Sequence, residues 1–77
     1  MVAQVYIRDK DDVIEINQVA QELPFPTWLS ANNELYNAQS FLALFNLIGK
    51  KCNLVAPDDA DYKVFRKALK KMKLKLL

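Results

Sequence analysis

Three groups of side chains in this 77-residue chain could do chemistry: a lone thiol, two clusters of aspartates and a basic run near the end. Cys52 is the only cysteine, so it forms no disulfide within the chain, and nucleophilic use of its thiol would want an imidazole partner. The chain contains no histidine. The usual base and proton shuttle is therefore missing, and a zinc constellation with it. Cys52 reads as a small buried hydrophobe. Asp9, Asp11 and Asp12, and again Asp58, Asp59 and Asp61, gather carboxylates in the manner of a magnesium or calcium site. Neither cluster has the twelve-residue spacing or central glycine of a calcium loop, and acidic turn and helix-capping residues account for both. Gly49 is the only glycine, so there is no glycine-rich loop to cradle a phosphate. No catalytic residue, metal or cofactor is expected, which leaves a non-enzymatic binding module.

The charge distribution narrows the choice of partner. Residues 63–77 carry seven basic side chains (Lys63, Arg66, Lys67, Lys70, Lys71, Lys73 and Lys75) and no acid, giving +7. Residues 1–62 carry four basic and nine acidic groups, giving −5, so the net +2 hides a concentrated basic end. Lysine is favourable at a helix C-terminus without any partner, so a solvated lysine face is the plain account of this end. The functional expectation is a polyanion, above all nucleic acid (DNA or RNA) bound through its phosphates by Lys63, Arg66, Lys67, Lys70, Lys71 and Lys73. Six lysines to one arginine suit backbone neutralisation better than base reading. The alternative is a regulatory protein-interaction module, an adaptor or inhibitor of a larger assembly. It would use a prolyl-aromatic lip at residues 24–29 formed by Phe25, Trp28 and Leu29, dock the basic helix on an acidic protein surface, and pair as a homodimer.

The elements that must position these groups suggest a small α+β domain spanning residues 1–77. Residues 2–7 alternate β-branched and aromatic positions and read as a strand. Residues 12–23 have two readings. Val13, Ile14 and Ile16 suit a second strand closing a hairpin, with Asn17 capping a short helix. The spacing of Val13, Ile16, Ala20 and Leu23 suits one longer helix started by Asp12 and Glu15. Pro24 and Pro26 end the helix either way. Leu35, Ala38, Leu42 and Phe45, widened by Phe41, Leu44 and Ile48, predict a central buried helix over 33–48, capped by Asn32 and Asn33 and ended by Gly49 in a left-handed conformation. A short strand is expected near 53–56, stopped by Pro57. A basic helix over 58–72 follows, with Asp58 as its cap and Tyr62, Phe65, Ala68, Leu69 and Met72 as its apolar stripe. Residues 73–77 read as a frayed tail or an edge strand.

At 52% hydrophobic residues the chain has the composition of a folded domain, and no apolar run approaches the roughly 20 residues that span a bilayer. The charged residues 8–12 follow too few apolar ones for a signal peptide, so a cytoplasmic location is expected.

Overall fold

The alternation at the start of the chain makes β1 (Val2–Tyr6), and the next short-range alternation makes β4 (Lys51–Val55) its antiparallel neighbour, with Ala3 opposite Leu54 and Val5 opposite Cys52. A computed structural model describes residues 1–72. In it the elements run β1, α1 (Lys10–Glu22), β2 (Trp28–Ala31), β3 (Glu34–Asn37), α2 (Phe41–Phe45), β4 and α3 (Tyr62–Lys71). The four strands form one antiparallel sheet in the order β1-β4-β2-β3. The expected α+β class, the first and last strands and the C-terminal helix are all present. The predicted tail or edge strand at 73–77 lies outside the described residues.

The sheet is covered on one face only. Leu29 sits between Leu54 and Tyr36 in the register, and together with Val5, Cys52 and Ala31 these side chains face the helices. The next row along, Gln4, Asn53, Ser30 and Leu35, belongs to the other face and is exposed or half-buried, as the two-residue period of a pleated strand requires. Val13, Ile16, Val19 and Ala20 of α1, Leu44 and Leu47 around α2, and Phe65, Ala68 and Met72 along α3 close the core.

Residues 10–22 form one helix, so the spacing of the apolar residues prevails over their β-branching, and the hairpin alternative for residues 12–16 falls. The cap lies further upstream than expected. Asp9, not Asp12, accepts from the N–H groups of Asp11 (3.1 Å) and Asp12 (3.2 Å). Asp12 turns inward to Arg8. Asp61, not Asp58, likewise caps α3, accepting from the N–H of Lys63 at 2.9 Å, so the helix begins at Tyr62.

The central buried helix over 33–48 does not form. Asn32 and Asn33 have φ values of 51° and 65° and make the two-residue turn of a β2–β3 hairpin. Short side chains that tolerate the left-handed region serve this turn as well as they serve a cap. Only residues 41–45 are helical, and the turns that follow end at Gly49, whose φ of 84° is the left-handed stop expected there. Because Asn33 already occupies the strained region, Asn33→Gly should hold or raise the urea midpoint. Asn33→Val should lower stability by about 1 to 2 kcal/mol with an unchanged slope. Equal midpoints for the two variants would contradict the turn.

Candidate protein-interaction surfaces

The loop before α2 is fixed from α1. Asn17 donates to the carbonyls of Ala38 (3.3 Å) and Gln39 (2.9 Å), Gln21 donates to Gln39 at 3.2 Å, and Gln39 returns a bond to the Ala20 carbonyl at 3.3 Å. A helix as short as α2 turns one side inward, and Leu44 takes it. Leu42 is left 79% exposed, flanked by Phe41 and Phe45 at 39% and 38%. The two rings meet edge to face with centroids 4.9 Å apart, which holds them as a preformed pair. Ile14, also exposed on α1, lies away from this cluster, in a depression shared with Asp11, Glu15, Gln18, Glu22 and Lys71. Sequence spacing had assigned Phe41, Leu42 and Phe45 to a buried stripe. The structure makes them the main aromatic and aliphatic surface of the helical side.

The predicted lip at residues 24–29 is not brought together. Trp28 and Leu29 are neighbours in β2 and point to opposite faces of the sheet. Leu29 is fully buried between Leu54 and Tyr36, Trp28 is half-buried opposite Val55 on the open face, and Phe25 packs on the edge of the core. Leu29 is therefore unavailable to a partner, and Phe25 and Trp28 form no common surface with it.

Lys63, Arg66, Lys67, Lys70 and Lys71 are all exposed on α3, as their placement opposite the apolar stripe implied; Lys73 lies outside the described residues. The guanidinium of Arg66 lies over the Tyr62 ring, 5.7 Å from its centre. Lys71 does not stand in a purely basic field. It donates to Glu22 of α1 at 3.4 Å and borders a depression also lined by Asp11 and Glu15.

The aspartate clusters resolve into structural roles. Asp9 caps α1, Asp61 caps α3, and Asp12 is buried with three donors from Arg8: backbone N–H at 2.9 Å and Nε at 2.8 Å to Oδ2, and Nη2 at 2.8 Å to Oδ1. The Arg8 hydrogen bonds hold the Asp12 carboxyl below the usual carboxylate range against the opposing effect of its burial. Cys52 is buried beside the Lys50 carbonyl, and burial pushes its thiol up, away from nucleophilic use. Among the described residues no helix is long and apolar enough to cross a membrane.

No family model matches this chain, and no curated protein does. Among solved structures, an open-faced α+β fold of the same kind is found in the crystal structure of HPr-C-His from Thermoanaerobacter tengcongensis. The match has a TM-score of 0.72 and 17% identity over 95% of this chain and 91% of that one. At that identity the likeness defines the fold. It also corrects the nucleic-acid expectation, because the solved structure this chain resembles is that of an HPr protein and not of a nucleic-acid-binding protein.

Proposed function

We propose that this chain is a non-enzymatic, cytoplasmic protein-interaction module, and that Phe41, Leu42 and Phe45 on α2 form the anchor for its partner. The observation that carries the reading is the exposure of Leu42 beside an edge-to-face aromatic pair, on a short helix whose preceding loop is tied to α1 by four side-chain hydrogen bonds. A preorganised apolar cluster costs little to order on binding, and aromatic anchors carry most of an interface's energy. The alternative of phosphoryl carriage in the manner of HPr has little chemistry to draw on. A readily transferred phosphoryl group needs an imidazole, a thiolate or a free carboxylate. The chain has no histidine, its thiol is buried, and the one buried carboxylate, Asp12, is engaged by Arg8, which leaves only carboxylates open to solvent. A different protein is the partner we favour over a second copy, since the aromatic cluster is small and nothing beside it complements itself.

A photo-reactive residue placed at position 42 of the full chain tests this. It should give a protein adduct in a lysate of the source cells, and Phe45→Glu should reduce the adduct about tenfold or more while circular dichroism stays unchanged. The same probe at Asn53, on the open sheet face, should give none. Equal adducts from positions 42 and 53, or insensitivity to Phe45→Glu, would overturn the assignment.

A further inference from the structure

A second surface lies on the other side of α1, where the helix faces α3 across a groove of about 520 Å³. Its floor is apolar: Val19 and Leu23 from the α1 side, Val64 and Ala68 from α3. Short side chains on α3 leave this space open, and α1 packs against α2 more extensively than against α3. Along α3 the groove follows Val64, Ala68 and Lys71, close to two helical turns or about 10 Å.

The α3 rim is cationic and incompletely neutralised. Lys71 is held by Glu22 across the groove at 3.4 Å, but those side chains are 64% and 62% exposed, so the pair is weak and exchangeable. Lys67 and Lys70 have no carboxylate within 4.0 Å among the described residues. Each stands three or four residues from further cations, Lys63, Arg66 and Lys71, in the spacing at which like charges on a helix repel. A ligand that brings carboxylates to this rim relieves that repulsion, and one that brings an apolar face fills the floor.

We infer that the groove between α1 and α3 docks an acidic amphipathic helix of a partner protein, with apolar residues on Val19, Leu23, Val64 and Ala68 and carboxylates on Lys67 and Lys70. This rests on the protein-interaction reading and adds the chemistry of a partner at a face distinct from α2. Two turns of groove accept anchors at helical spacing, the mode by which amphipathic helices lie in apolar grooves. A polyanion without an apolar face would leave the floor uncovered.

The test is a titration of the isotope-labelled full chain with a synthetic amphipathic peptide about four turns long, leucine on one face and glutamate on the other. Amide shifts should concentrate at residues 19, 23, 64 and 68. Combining Lys67→Glu with Lys70→Glu should weaken binding about tenfold or more, and Leu42→Glu should leave it unchanged. Unchanged affinity in the charge variant, equal binding of a peptide with lysine in place of glutamate, or shifts confined to α2 would overturn the inference. Shifts confined to α2 would leave the proposed anchor standing. Groove binding without any adduct at position 42 would do the reverse.

Discussion

Leu29→Ala should lower the unfolding free energy by about 3 kcal/mol, within the range of about 2 to 5 measured for large-to-small changes in cores. Leu29 is 0% exposed and lies in β2, with β3 on one side and β4 on the other, so the space left by its truncation is walled by sheet partners and helices that cannot collapse into it. A chain of this size has about 4 to 10 kcal/mol to lose, so the variant should unfold at a markedly lower urea concentration. Trp28→Ala, one residue away but on the open face, should cost about 1 to 2 kcal/mol, because only part of its surface is withdrawn from water. It should also leave the adduct at position 42 intact. If Trp28→Ala proved the more damaging and Leu29→Ala moved the midpoint little, the assignment of Leu29 to the core and of Trp28 to the open face would be wrong.

That pair of residues shows where sequence reasoning runs out. Phe25, Trp28 and Leu29 look like one cluster because they are close along the chain, yet a strand sends consecutive side chains to opposite faces, and whether residues 28–31 are a strand is decided elsewhere. The decision comes from β4, which lies beside β2 only after the intervening chain has returned. Elements whose signal is local were legible. The alternation of residues 2–7, the stripe of Phe65, Ala68 and Met72, and the left-handed stop at Gly49 all appear in the structure. Residues 33–48 failed for the opposite reason. Leu35 and Leu42 fall at helical spacing, but they are 66% and 79% exposed, and the residues that turn inward are Ala38, Leu44 and Leu47. The competing signal was present in Asn32 and Asn33, two residues that accept left-handed conformations and stand between short segments able to pair.

The surfaces divide in the same way. The lysines of α3 were legible, since a face opposite an apolar stripe must be exposed. What Lys71 faces was not, because Glu22 and Asp11 reach its neighbourhood through the packing of α1 on the sheet. The aromatic cluster on α2 was hidden by the same spacing that suggested a long buried helix. A five-residue helix has one inward side, and the remaining apolar residues are left to solvent or to a partner.

Asp12 makes the strongest electrostatic prediction. Its carboxylate is only 4% exposed and receives three hydrogen bonds from Arg8, two of them a fork from the guanidinium, at the junction of β1 and α1. Asp12→Asn retains the shape but loses the charge and one acceptor, and should cost about 1.5 to 3 kcal/mol at neutral pH, the range for hydrogen bonds to charged groups. The pH dependence has a definite sign. The folded state holds this carboxyl below its unfolded value because Arg8 bonds to the charged form, so its contribution is present above an unfolded value of about 3.9 and is lost as pH falls through the folded one. Urea midpoints measured from pH 7 downward should therefore fall for the native chain below about pH 5, while those of Asp12→Asn fall less, so that the two curves converge in acid. Parallel curves with a constant gap would mean that Asp12 contributes through packing alone and that its charge adds nothing to the link between β1 and α1.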